Sequence, residues 1–106
     1  MYRRKNRQNE IEIFMEDVEL IMGNDYGKLP VFLQSVFCAK CSGSVTIEHY
    51  KIYIDDRQDV IFEGICSTCK DPVSRYIETG GSPSTESIAR HIRAVKQQFV
   101  TKSRNE

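Results

Sequence analysis

The sequence predicts an α+β domain in which a three-stranded antiparallel sheet is flanked by an N-terminal and a C-terminal amphipathic helix. Three observations lead to this fold class. Residues 42–65 are patterned like one long β-hairpin, apolar residues recur at helical spacing near both ends, and two Cys-x-x-Cys motifs bracket the hairpin. With 106 residues and 40% hydrophobic content, the chain suits a single domain with a modest core.

The N-terminal part predicts a basic tail followed by a helix. We expect residues 1–8 to be a disordered tail and residues 9–23 to be helical. Asn9 followed by Glu12 resembles a capping box, and Gly23 supplies a stop. The face of this helix is apolar, comprising Ile11, Phe14, Met15, Val18, Ile21 and Met22. That face needs a partner, which is either the sheet or, as an alternative, a second copy of the chain or another protein.

The middle of the chain, residues 31–79, is expected to contain the sheet. Residues 45–54 and 60–65 are rich in β-branched and aromatic side chains, and the polar residues 55–59 between them predict a hairpin turn. We interpret Asp55 and Asp56 as turn residues rather than as a catalytic or metal site. Further strands are expected at residues 72–78 and, ahead of the first cysteine pair, at residues 31–37.

A second helix is expected over residues 82–102. Ser82 suits the N-cap, and Pro83 suits the first turn, where its missing N–H costs nothing. An apolar stripe at helical spacing follows, comprising Ile88, Ala89, Ile92, Val95, Phe99 and Val100.

The cysteines all fall in the two motifs, Cys38-Ala39-Lys40-Cys41 and Cys66-Ser67-Thr68-Cys69. Two residues between the sulfurs let a tight turn aim both at one ion, and tetrahedral Zn²⁺ takes four donors at about 2.3 Å. A hairpin of two equal legs would bring the second pair back to the first. We therefore predict one structural Zn²⁺ bound by Cys38, Cys41, Cys66 and Cys69. Iron in the same sulfur cage, disulfides and a redox Cys-x-x-Cys remain alternatives.

The segment of about residues 31–78 resembles the zinc-ribbon superfamily, on the strength of the four cysteines and the strands between and after them. The resemblance implies a three-stranded antiparallel sheet with the metal at one end. It also implies nucleic-acid or protein binding without selecting between them. Many zinc ribbons carry glycine immediately after each cysteine pair, whereas this chain has Ser42 and Lys70. The flanking helices match no family that we recognise.

Catalysis is not expected, because four thiolate ligands leave a zinc ion no open position for water or substrate. His49 on a strand and His91 on a helix are far apart in sequence, and no nucleophile motif accompanies them. Both histidines are expected at or near the surface. The sequence therefore predicts a non-enzymatic zinc-binding protein that acts as an interaction or regulatory module.

The charges leave a second function open. The net charge is zero, which argues against a general affinity for nucleic acid. Basic residues nevertheless cluster in the tail and on one face of the second helix, namely Arg3, Arg4, Lys5, Arg7, Arg90, Arg93 and Lys96. The alternative function is a transcription-associated nucleic-acid-binding protein that uses them. The chain has no signal-peptide core and no apolar run of about 20 residues, so we expect a cytoplasmic protein without a membrane partner.

Overall fold

The computed structural model describes residues 10–104, with side chains through residue 98. The tail expected at residues 1–8, with Arg3, Arg4, Lys5 and Arg7, lies outside the described residues. Within the described range, the elements are β1 (Ile11–Ile13), α1 (Met15–Met22), a 3₁₀ helix (Gly23–Lys28), α2 (Leu29–Leu33), β2 (Val36–Cys38), β3 (Gly43–Val45), β4 (Ile47–Ile54), β5 (Val60–Cys66), β6 (Pro72–Ile77), a second 3₁₀ helix (Thr79–Gly81) and α3 (Pro83–Arg104).

The α+β class is confirmed, but the main sheet has four strands rather than three. Its order is β1-β4-β5-β6, with every neighbouring pair antiparallel, and β2 and β3 form a separate two-stranded sheet. The expected hairpin is present as β4 and β5, and the strand expected at residues 72–78 is β6. The fourth strand is β1, which pairs with β4 so that Ile11 lies opposite Ile54.

The predicted start of the N-terminal helix is wrong. Ile11–Ile13 forms a strand whose side chains alternate buried, exposed and buried, and the helix begins only at Met15. The edge of β4 provides a backbone partner for this short alternating segment, which therefore does not remain helical. The capping carboxylate is also different, because the backbone N–H of Phe14 donates to Asp17 Oδ2 at 2.9 Å. Glu12 instead lies on β1, opposite Tyr53.

The apolar face of α1 packs within this chain. Val18 and Ile21 are fully buried and Met22 is nearly so, and all three belong to the hydrophobic core. Phe14 is the exception, with 51% of its surface exposed. Most of this face is therefore covered by the chain's own core.

The strand expected at residues 31–37 is wrong in its first half. Residues Leu29–Leu33 form the short helix α2, with Pro30 in its first turn, where proline fits. A strand follows only at Val36–Cys38, and it ends on the first cysteine. The apolar run is thus shared between a helix and a strand, because a short run of this kind has no decisive period.

The C-terminal helix is confirmed with slightly different ends. It spans Pro83–Arg104, and the carbonyl oxygen of Ser82 accepts the N–H groups of Thr85 and Glu86 at 3.1 and 2.8 Å. Ala89 and Ile92 are buried, whereas Ile88 and Val95 are about 40% exposed. The side chains of Phe99 and Val100 lie outside the described residues.

Strand β4 contains an irregularity that the sequence analysis missed. Ile47 and Ile52 both face the core, although strict alternation would put residues five apart on opposite faces. A β-bulge between Glu48 and Lys51 changes the alternation, and His49 takes a left-handed conformation there, with φ of 50°. The bulge allows both halves of the strand to contribute to one core.

Gly64 on β5 makes room for this bulge. A Cβ atom at Gly64 would lie 2.4 Å from the carbonyl oxygen of Glu48 and 2.9 Å from Cα of Tyr50. The bulge also brings the Tyr50 ring against Phe62, with the two ring centroids 5.1 Å apart in an edge-on arrangement. Gly64 is therefore required by a close backbone approach.

The hairpin tip is held by its own carboxylates. Asp55 Oδ1 accepts the backbone N–H groups of Arg57 and Asp59 at 2.9 and 3.0 Å, so our interpretation of Asp55 as a turn residue is confirmed. Asp59 Oδ1 in turn accepts the N–H of Gly80 at 2.9 Å. The tip is thereby joined to the segment that leads into α3.

Within residues 10–104, no helix is long and apolar enough to cross a membrane.

Candidate metal centre

Both cysteine pairs begin at the end of a strand, and the two strand ends lie next to each other. Cys38 is the last residue of β2 and Cys66 the last residue of β5, so each strand ends on a cysteine, and Cys41 and Cys69 follow in the turns beyond. The backbone of the second turn is anchored to Thr46, the residue between β3 and β4, because the N–H of Ser67 donates to its carbonyl oxygen at 2.9 Å. The same fold that pairs β4 with β5 therefore brings the two motifs together.

Each turn ends in the same backbone conformation. Ser42 and Lys70, the residues directly after the two pairs, have φ of 58° and 68°. In the second turn the N–H of Lys70 donates to the carbonyl oxygen of Cys66 at 3.0 Å. These are the positions at which many zinc ribbons carry glycine, and the left-handed backbone gives the physical reason. Serine and lysine adopt the same conformation here.

The four sulfurs form one compact cluster. All lie within 4.8 Å of one another, with Cys38 Sγ 3.5 Å from Cys69 Sγ and Cys41 Sγ 3.8 Å from Cys66 Sγ. Four ligands at about 2.3 Å around a tetrahedral zinc ion would be separated by about 3.8 Å. The arrangement is thus close to the one that a metal ion requires, and the four cysteines could hold such an ion.

These distances also bear on the disulfide alternative. A disulfide bond requires sulfurs about 2.05 Å apart. The contacts at 3.5 and 3.8 Å each join one cysteine of the first pair to one of the second, and all four cysteines are free. The structure therefore presents a thiol cluster.

Protons are shared unequally among the thiols. Burial opposes ionisation of Cys66, but N–H groups of Cys69 and Thr68 donate to its sulfur at 3.4 and 3.3 Å, and its pKa falls to about 6. The pKa of Cys41 rises to about 12, mainly through its hydrogen bond to Cys69 and then through burial. The N–H donors point at the sulfur where a thiolate forms most readily, and the same donors would stabilise a metal-bound thiolate.

Two lysines next to the sulfurs connect the turns to their surroundings. Lys70 Nζ lies 3.0 Å from Glu48 Oε1 and 3.1 Å from the carbonyl oxygen of Ser67. Lys40 Nζ lies 4.0 Å from Asp71 Oδ1. This contact links the turn of the first cysteine pair to the residue that follows the turn of the second pair. The ion pairs of Glu48 and Asp71 with these lysines could not be predicted from sequence, because they depend on where β4 and the start of β6 lie relative to the cysteine turns.

The histidines do not join the cluster. His49 lies at the bulge and His91 on α3, and both side chains are exposed. Across the described residues, the four cysteines are the one group of histidine, cysteine, aspartate and glutamate side chains arranged to hold a metal.

The cations expected for nucleic-acid binding on α3 all have partners within the fold. Arg90 forms an ion pair with Glu86 one turn earlier, and Lys96 Nζ lies 3.4 Å from Asp17 Oδ2. Arg93 also makes polar contacts. Lys96 therefore connects α3 to the cap of α1, and it is not a freely exposed charge.

No protein-family model, curated protein or solved structure matches this chain. Functional inference therefore rests on the geometry of the cysteine cluster.

Proposed function

We propose that this protein is a non-enzymatic zinc-binding module of the zinc-ribbon type, in which Cys38, Cys41, Cys66 and Cys69 hold one structural Zn²⁺. The observation that supports the proposal is the set of four sulfurs within 4.8 Å of one another. Such a set fills all positions of a tetrahedral ion, so no site is left for water or substrate. The metal then contributes to folding and not to a reaction.

The position of the cluster explains why a metal would matter for stability. It joins the end of β2 to the turn between β5 and β6, where the backbone hydrogen bond from Ser67 to Thr46 also links the two parts. Structural zinc in finger-sized domains contributes on the order of 10 kcal/mol, which is comparable to the whole stability of a domain of this size. Loss of the ion should therefore unfold the sulfur-bearing end, and with it much of the sheet.

Zinc is proposed because four cysteines in two Cys-x-x-Cys turns are a common ligand set of structural zinc sites, and iron in the same sulfur set is the alternative that elemental analysis distinguishes. Free thiols also fit a reducing compartment, and a cytoplasmic location belongs to the same proposal.

The test is elemental analysis of the purified full chain, paired with two variants. We expect one zinc per chain in the unaltered protein. Cys66→Ser should lose the zinc and the cooperative unfolding transition, whereas Ser67→Ala, which changes the neighbouring residue and keeps all four thiols, should retain both. A Cys66→Ser protein that remains fully folded without metal would disprove the structural role. One iron per chain in the unaltered protein would show that the proposed metal, zinc, is wrong.

The second candidate function is nucleic-acid binding through Arg3, Arg4, Lys5 and Arg7 together with Arg90, Arg93 and Lys96. What favours it is the exposure of Arg90, whose side chain is 67% exposed despite its ion pair. The pairing of Lys96 with Asp17 argues against it. Binding of this kind should weaken steeply with salt, in proportion to the number of phosphates contacted. A chain that does not retain DNA or RNA even at low salt would exclude this function.

A further inference from the structure

A cavity of about 480 Å³ opens between the helical segment of residues 15–34 and strand β4. Its wall is largely apolar and includes Met15, Leu29, Leu33 and Ile47, together with the rings of Tyr26 and Tyr50. This volume lies within the range of about 300–1,000 Å³ that is typical of small-molecule sites. The cysteines do not line the cavity, so its use is independent of the proposed zinc site.

Neutral polar groups are placed around this apolar wall. Gln34 and Thr46 also line the cavity, and Tyr26 and Tyr50 add two hydroxyl groups. Within the described part of the chain, the side chains of these four residues form no hydrogen bond with the protein. No charged residue of the described segments lines the cavity. The site therefore offers hydrogen bonds without any ionic partner.

One wall is held in place by the bulge of β4. The bulge at His49 brings Tyr50 to the core side of the sheet, where its ring packs edge-on against Phe62. Gly64 gives the bulge the space that it needs. Bulges often redirect a side chain next to a functional site, and this one fixes an aromatic wall of the cavity in advance.

We propose that this cavity binds a small, uncharged aromatic molecule that carries a hydrogen-bonding group. Two tyrosine rings and the thioether of Met15 favour an aromatic ligand. The polar side chains favour a ligand that can donate or accept a hydrogen bond. A charged ligand would lose hydration without gaining a counter-ion, so neutral compounds should bind better.

The test uses indole as the probe, with indole-3-carboxylate and tryptamine as anionic and cationic analogues. We would titrate each into the full-length, zinc-loaded chain and follow backbone amides by NMR. Indole should produce saturable shifts at Gly27, Gln34, Thr46 and Tyr50, with a Kd of about 1 mM, as is reasonable for so small a ligand. Both charged analogues should bind about tenfold more weakly.

Two substitutions in the cavity and one control outside it locate the binding. Gly27 lines the cavity, and a Cβ atom there would meet nothing within 4 Å, so Gly27→Leu should occupy part of the cavity and weaken indole binding about tenfold or more. Gly81→Leu makes the same change outside the cavity and should leave the Kd unchanged. Tyr50→Phe keeps the ring against Phe62 and removes the hydroxyl, so the fold should persist while indole binds several-fold more weakly.

The outcomes separate the proposal from its alternatives. Absence of saturable shifts, equal binding of the charged analogues, or an unchanged Kd in Tyr50→Phe would each overturn it. If Gly27→Leu does not fold, the Tyr50→Phe result decides alone. Zinc content is measured on the same samples. Absence of indole binding to the unaltered chain, with one zinc retained, would disprove the cavity proposal and leave the zinc proposal intact.

Discussion

Replacement of Gly64 by alanine should strongly destabilise the sheet. The added Cβ would lie 2.4 Å from the carbonyl oxygen of Glu48 and 2.9 Å from Cα of Tyr50. Favourable contacts between non-bonded heavy atoms lie at about 3.5 Å or more, so the overlap is about 1 Å. Both atoms belong to the backbone of the bulge, and the strand itself must therefore move.

The expected cost is about 3 kcal/mol, at the upper end of the range for overpacking, because no flexible side chain can yield. In a domain of this size, each kcal/mol lowers Tm by about 4–8 °C, so about 3 kcal/mol gives a decrease of about 12–24 °C. The assay is urea unfolding of the zinc-loaded chain followed by circular dichroism, with the free energy of unfolding compared at an unchanged m value.

Gly27→Ala is the matched control, because a Cβ there meets no atom within 4 Å and the backbone is not left-handed. It should change the free energy of unfolding by less than about 1 kcal/mol. If Gly64→Ala proves as stable as the unaltered protein, the bulge and the strand pairing around it are wrong.

Substitutions at three further positions test local features of the structure. Asp17→Ala removes the carboxylate that accepts the Phe14 N–H and should cost about 1–2 kcal/mol in urea unfolding, whereas Asp17→Asn should recover part of the loss; equal effects would exclude the cap. Ser42→Gly should raise the free energy of unfolding by about 0.5–1 kcal/mol by relieving the left-handed φ of 58°, and Ser42→Ala should not; a gain in both would point to another cause. Asp59→Asn should stabilise the protein at neutral pH, because burial raises the pKa of Asp59 and its ionised form is disfavoured in the fold, while the amide keeps an acceptor for the Gly80 N–H. Because the pKa of Asp59 is higher in the folded state than its usual value of 3.8, the free energy of unfolding falls as pH rises from 3.8 through the folded-state pKa. The stability gained by Asp59→Asn should therefore shrink as pH is lowered through the same range. A gain that grows toward acid pH would contradict the raised pKa.

The features that could be predicted from sequence are those set by local pattern. The hairpin of β4 and β5, the strand β6 and the helix α3 each have one dominant period or a clear turn signal. The grouping of the four cysteines could also be predicted, because two residues between cysteines give each turn its geometry and a hairpin brings the two turns together.

The features that could not be predicted depend on partners distant in sequence. Ile11–Ile13 fits both a helical and an alternating pattern, and only the free edge of β4 decides between them. The bulge did leave a signal, since Ile47 and Ile52 are both apolar but five residues apart. The cavity left no signal in the sequence, because its wall combines residues 15–34 with residues 46–50, which are distant along the chain.

The central claim is that one zinc ion, held by Cys38, Cys41, Cys66 and Cys69, keeps this fold together. A native mass spectrum of the full chain, recorded before and after treatment with a chelator, tests it most directly. We expect the mass of the chain plus one zinc in a narrow, low-charge distribution, which should change to metal-free chain in a broad, highly charged distribution after chelation. A narrow, low-charge distribution that persists without metal would contradict the claim.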